Sequence, residues 1–119
     1  MTKRLDRARL RIANRYSRIG WVHLLQSHTG DALLWLEKAI NANPKIPGFH
    51  MLLASAYALN GETERAAAEV AEARRLRGEG SYSSIARIRA NGYWGVPKIR
   101  ALFEATYFVG LRKAGVPEE

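Results

Sequence analysis

Histidines, clustered serines, paired carboxylates and arginines are the residues here that could carry chemistry, and each type makes its own demand on geometry. The histidines are His23, His28 and His50. A cation such as zinc needs three or four nitrogen, sulfur or oxygen donors converging on one point. His23 and His28 are five residues apart, a spacing that turns them to different sides of a continuous helix, and His50 stands in another segment. No cysteine is present to add a thiolate, so neither a metal site nor any cofactor is expected. The pairs Glu62 and Glu64, or Glu69 and Glu72, could do general acid and base work only in a desolvating cleft; set among alanines, they read as a charged outer helix face. Ser81, Ser83 and Ser84 have no histidine near them in sequence to activate a hydroxyl. Gly78 and Gly80 lack the preceding strand and following helix that would make a phosphate cradle of them. The chain is read as a non-enzyme.

Arginine is the remaining chemistry. The net charge is +8, and its placement says more than its size. Between Met1 and Arg18 seven basic residues (Lys3, Arg4, Arg7, Arg9, Arg11, Arg15 and Arg18) face one acid, Asp6. The stretch from Ile19 to Gly80 is near neutral, and the rest is mildly basic. Arg7, Arg9, Arg11 and Arg15 form a candidate patch for nucleic acid or another anionic surface, with Tyr93 and Trp94 as stacking groups in a basic terminal region. The competing reading is that the arginines solvate an apolar helical stripe and the aromatic loop packs.

Those residues must be positioned by elements, and the pattern of the elements is a repeat. A hydrophobic content of 47% in 119 residues suits one domain with a small core. No apolar run is long enough for a membrane span and no signal-peptide core is evident, so a cytoplasmic setting is expected. Shifting the sequence by 34 residues lays Tyr16, Ile19, Gly20 and His23 over His50, Leu53, Ala54 and Tyr57. Large, aliphatic, small and aromatic recur in order. Ala32, Leu36 and Ala39 likewise fall on Ala66, Val70 and Ala73 at helical spacing. Helices approach closely where one offers a small side chain, which pairs Gly20 with Ala32 and Ala54 with Ala66. Gly30 and Gly61 are expected between the paired helices, Thr29 and Thr63 as caps of the second ones, and Pro44 and Gly78 as stops.

These residues resemble the tetratricopeptide repeat family, with repeats at 13–46 and 47–80. The segments GDALLWLEKAINANP, LLASAYALNGETERA, SIARIRA and GLRKAGVPEE are similar to the C-terminal repeat region found behind class III adenylate cyclase or DNA-binding domains in alphaproteobacteria. Nothing in the chain resembles the cyclase catalytic domain. The resemblance implies an all-α fold of helical hairpin repeats winding as a superhelix, with 81–119 as C-terminal capping helices; where the family has further repeats, residues 1–12 are expected as a basic helical extension instead. It implies a non-catalytic scaffold for a protein or peptide partner, or for a second copy in a homodimer.

In that family the first helices of the repeats line a concave groove. Carried over, the groove is Asn14, Ser17, Trp21, Leu24, Met51, Ser55 and Leu59, extended by Tyr82 and Ile85, with Trp21 and Met51 as anchors for a helix or extended peptide. Ser17 and Trp21 stand where some relatives place a lysine and an asparagine that clamp a peptide carboxylate, so a chaperone-tail ligand is not expected. The bland alternative packs Trp21 against the N-terminal segment or the last helix. At the ends, Leu5, Ile12, Tyr16 and Ile19 make one stripe; either a single helix runs from Thr2 to about Gln26, or the chain breaks near Asn14 and folds back as a cap. Tyr82 to Ala90 reads as a helix and NGYWGVP as a loop. Pro97 to Lys113 reads as one last helix, with Ile99, Leu102, Phe103, Thr106 and Val109 on its apolar side.

Overall fold

All regular structure among the described residues is helical. The computed structural model describes residues 2–119, without the side chains of Thr2, Lys3, Leu5 and Glu79, so Leu5 of the expected stripe lies outside the described side chains. Helix α1 runs unbroken over Thr2–Leu25. With no proline to interrupt it, the basic extension expected at 1–12 is the leading part of α1 and does not fold back. Burial on α1 begins at Ala13 and continues at Ser17, Gly20 and Leu24, a four-three-four spacing that faces one neighbour. Arg7, Arg9, Leu10, Arg11 and Ile12 are exposed.

Helix α2, Thr29–Ala42, returns along that face and buries Ala32, Leu36 and Ala39. The glycine in α1 is what lets the two come close. A Cβ on Gly20 would stand 2.7 Å from Leu36 Cγ and 3.2 Å from the Leu36 backbone nitrogen. Its partner is therefore Leu36, one helical turn beyond the expected Ala32. Helices α3, Pro47–Leu59, and α4, Thr63–Arg77, form a second hairpin. Pro47 occupies the first turn of α3, where its missing N–H leaves nothing unsatisfied.

The two hairpin turns share one backbone device in the same 34-residue register. His28 N–H donates to His23 O at 2.8 Å and Ser27 N–H to Leu24 O at 3.0 Å; in the second turn Glu62 N–H donates to Tyr57 O at 2.8 Å and Gly61 N–H to Ala58 O at 3.1 Å. This left-handed C-cap satisfies the last carbonyls of a helix and needs a positive φ. Gly61 supplies it at 82°, and Ser27 adopts 62° without glycine's freedom. Because the cap reverses the chain at once, His28 and Glu62 stand at the N-cap positions, with no side-chain cap bond, and Thr29 and Thr63 are already helical. Thr29 and Thr63 are not caps, and Gly30 lies inside α2.

Helix α3 is the core element. Phe49, His50, Met51, Leu53, Ala54, Ser55, Ala56, Tyr57 and Ala58 are all buried, as happens when a helix is covered on every side. Helices α2 and α4 cover part of it. The rest is covered from the C-terminus: a 3-10 turn at Glu79–Tyr82, then α5 Ile85–Asn91, α6 Pro97–Ala105 and α7 Tyr107–Lys113. The single last helix expected at Pro97 to Lys113 is thus two. The break falls at Thr106 (φ −123°, ψ −72°), whose hydroxyl donates to Leu102 O at 2.7 Å and competes with the backbone ladder. The bend keeps Phe103 and Thr106 buried and leaves Ile99 and Leu102 exposed.

After the bend, α7 crosses α3 at backbone distance. A Cβ on Gly110 would lie 2.1 Å from Ser55 Oγ and 2.6 Å from Ser55 O. Ser55 Oγ in turn donates to Tyr107 O at 2.8 Å, so the one buried hydroxyl of the contact is satisfied. Because the obstacle is backbone, Gly110→Ala will displace α7 and lower stability by at least about 2 kcal/mol, read as a fall in urea midpoint.

A second clamp is polar. His50 Nδ1 is 2.5 Å from Glu69 Oε2 on α4 and Nε2 is 2.7 Å from Pro44 O on the α2–α3 link. Both partners accept, so both ring nitrogens must donate, which only the imidazolium does. Burial pulls against that charge, but the Glu69 hydrogen bond and the Pro44 carbonyl, with the Glu69 and Glu72 charges, overcome it, and the His50 pKa is raised above the usual 6.5. The folded state therefore holds a proton that the unfolded chain releases earlier. Stability from this clamp is full below pH 6.5 and is lost as the pH rises through the folded value. Urea midpoints measured across that rise will fall in the parent chain and flatten in His50→Gln.

Candidate functional site: an aromatic-walled pocket

The C-terminal helices bring their own aromatic side chains. Trp94, in the loop between α5 and α6, donates its indole N–H to Arg89 O at 2.9 Å. Its ring meets Phe103 and Phe108 edge-on at 5.0 and 5.1 Å between centroids, and Tyr107 at 5.7 Å. Edge-on contacts of this kind add to area burial. Trp21 of α1 packs on Phe103 from the other side, at 5.2 Å. The loop thus packs as an aromatic cluster, and Trp94 is not a free stacking group; Tyr93 alone remains 84% exposed.

Between this cluster and the start of α3 lies an apolar cavity of about 330 Å³. Trp21, Phe49, Leu52, Tyr82, Trp94 and Phe103 form its walls, and Arg77, Ser81 and Asn91 stand among its polar lining. The volume lies at the lower end of ligand pockets in general. The Arg77 guanidinium sits 5.7 Å from the Tyr82 ring, the one fixed charge in the lining.

Three polar contacts hold the pocket's outer wall. Arg74 on α4 donates from Nε and Nη2 to Tyr82 O at 3.2 and 3.0 Å. Arg89 on α5 forks onto Glu104 of α6 at 2.7 and 3.0 Å, and that guanidinium holds the Glu104 carboxyl below the usual carboxylate range. The third is the terminal segment. Gly115, at φ +99°, ends α7 with the same left-handed cap as the hairpin turns, and Val116 is buried beside it. The chain then lays Pro117 O and Glu118 O over the start of α5, where they accept from Ile85 N–H at 2.8 Å and Ala86 N–H at 3.0 Å. Ser84 Oγ takes the Arg87 N–H at 3.1 Å. The free amides of a seven-residue helix are thereby satisfied by the tail and one serine.

The groove residues expected from the repeat pattern are distributed differently. Leu24, Met51 and Ser55 are fully buried and Ser17 nearly so. Asn14 and Leu59 are half-buried and do not line the pocket. Ser17 spends its hydroxyl on Asn14 O, one turn back. Met51 is therefore core and not an exposed anchor, and one turn further along the same face Ser55 meets α7. Trp21 alone of the seven lines the pocket, half-buried against Phe103 as the packing alternative had it. Tyr82 lines it as well, while Ile85 is buried. Sequence reasoning missed Phe49, Leu52, Trp94 and Phe103. The i, i+3 spacing of Phe49 and Leu52 on α3 is the signal that could have found those two.

Two further readings are corrected. Glu69 is not on a solvated face but bonds His50. His23 and His28 do not diverge, because the chain leaves α1 between them; with Asp31 they bring three donor atoms within 4.8 Å of one another. No described helix is long and apolar enough to cross a membrane. The arginines of α1, including Arg7, Arg9, Arg11 and Arg15, enter no ion pair among the described residues.

No protein family, curated protein or solved structure matches the chain.

The tail's role as a helix cap has a direct readout. Deleting residues 117–119 strips the partners from Ile85 and Ala86 N–H, so the α5 amides will exchange faster with deuterium while those of α3 stay protected, at a cost of about 1–3 kcal/mol.

Proposed function

We propose that the chain is a non-catalytic protein-interaction module of the tetratricopeptide type, and that it takes a peptide through the pocket between α3 and the C-terminal helices. The observation that carries this reading is the pocket itself: two tryptophans, two phenylalanines, three tyrosines and a leucine around one apolar cavity. Tryptophan and tyrosine, with arginine, are the side chains most enriched among those that dominate interface energy. The 34-residue register of the two hairpin turns supports the repeat assignment. The occupant is a helix or extended segment presenting one or two large apolar side chains, with acidic residues flanking them, because Arg77 stands in the lining and the chain as a whole carries +8.

A second reading rests on a separate surface. The leading turns of α1 expose arginines that bind no carboxylate among the described residues, an arrangement suited to nucleic acid or another polyanion. The two surfaces are separable by substitution. Leu52→Lys puts a charge into the pocket, and Arg7, Arg9, Arg11 and Arg15 changed together to Gln neutralise the helix. Peptides selected from a displayed library of acidic amphipathic sequences will bind the parent chain and the arginine variant alike, and will lose at least about tenfold in affinity for a folded Leu52→Lys variant. Equal binding by Leu52→Lys removes the pocket reading. Duplex DNA binding that falls steeply with salt and disappears only in the arginine variant moves the function to α1.

A further inference from the structure

The turn joining α1 to α2 gathers three side chains with metal-binding atoms. His23 is in the last turn of α1, His28 is the N-cap residue of α2 and Asp31 lies in its first turn. One donor atom from each lies within 4.8 Å of the others, and the two imidazole centroids are 5.7 Å apart. The cause is the backbone. Ser27, at φ 62°, reverses the chain so that His28 N–H bonds back to His23 O at 2.8 Å, which sets the two rings side by side. Asp31, three residues into the returning helix, comes up on the same side.

Two observations separate this cluster from a chance meeting of surface groups. His23 Nδ1 is shut away from solvent and has no hydrogen-bond partner among the described residues; a buried ring nitrogen in that condition is uncommon and suited to a ligand. The second hairpin turn provides an internal comparison. Its backbone bonds are the same, and the equivalent stations hold Tyr57, Glu62 and Arg65. There the three side chains also converge, with Arg65 3.4 Å from Glu62 and 5.7 Å from the Tyr57 ring. Convergence is thus a property of the turn, while a set of three metal donors is found only in the first copy, since Arg65 in the second is a cation.

We propose that the α1–α2 turn binds a first-row divalent cation of the zinc class through His23, His28 and Asp31. Two imidazoles and a carboxylate suit zinc, cobalt or nickel and are poor partners for magnesium or calcium, which require mostly oxygen. Zinc at about 2.0–2.1 Å from each donor places tetrahedral ligands about 3.4 Å apart. His28 and Asp31 are exposed, so their side chains have room to rotate toward a shared ion. The negative end of α1 favours a cation at this turn and the positive end of α2 opposes it, so the two dipole contributions offset one another and the Asp31 carboxylate supplies the compensating charge. Three protein donors leave the fourth position of a tetrahedral ion to water or to a donor on a bound molecule. Because the ion bridges both sides of the turn, it will stabilise the folded hairpin by mass action.

The test uses the untagged full-length chain titrated with Zn²⁺, with Co²⁺ as a coloured substitute. One equivalent will bind, the thermal midpoint will rise, and Co²⁺ will show the visible absorption of nitrogen and oxygen coordination; Mg²⁺ will do none of these. Losing even an outer partner of a metal ligand costs about 10–100-fold in affinity, so His28→Ala and Asp31→Asn will each cost at least that. Both positions are exposed, which keeps the variants folded where a His23 variant could fail. His50→Gln will bind as the parent does. No thermal shift at excess zinc, or undiminished binding by His28→Ala, overturns the assignment.

Discussion

Where α7 passes over α3, two helices touch backbone to backbone, with only the hydrogen of Gly110 between them and the Ser55 hydroxyl bonded to the Tyr107 carbonyl. The remaining architecture of the C-terminal half depends on that approach. It seats Phe103, Tyr107 and Phe108 against the hairpins, gives Trp94 an aromatic bed, and brings the end of the chain back to the start of α5. A side chain of any size at Gly110 would hold α7 away from α3, and close-packed interiors do not absorb such a displacement locally.

The same crossing decides what the molecule presents to others. A pair of helical hairpins standing alone would leave the inner side of α3 open, with Met51 and Ser55 along it. Here that side is filled by the chain's own last helix, and the accessible apolar surface moves to the gap that α6 and the Trp94 loop leave above Phe49 and Leu52. The surface that remains is a pocket rather than a groove, bounded by arginine and aromatic side chains from segments spread along the whole chain, from Trp21 to Tyr107.

Local periodicity made the hairpins legible in the sequence, because Ala32, Leu36 and Ala39 or Ala66, Val70 and Ala73 declare a buried face without reference to anything distant. What was not legible depended on partners far along the chain. Gly110 reads as an ordinary helix residue until Ser55 is known to lie against it. Met51 looks like an exposed anchor until the packing around α3 is known to bury it. Thr106 has no intrinsic signal for a break, and bends the helix because its hydroxyl finds Leu102 O while Phe103 and Phe108 are both drawn inward. The histidine spacing misled for a local reason: a five-residue interval was counted along a helix that had already ended at Leu25. Ser27 carries a left-handed conformation that composition does not announce, since glycine is the usual occupant of that position.

The hydrogen bond from Ser55 to Tyr107 spans 52 residues of chain, whereas each hairpin closes through a turn of only a few. Closing a long loop costs more entropy than closing a short one, and the cost must be met before the contact returns anything. By that entropy alone the hairpin contacts, made between neighbouring residues, cost less to close than the contact of α7 with α3. The segment that closes the core is thus the one whose contact with α3 carries the greater entropic cost.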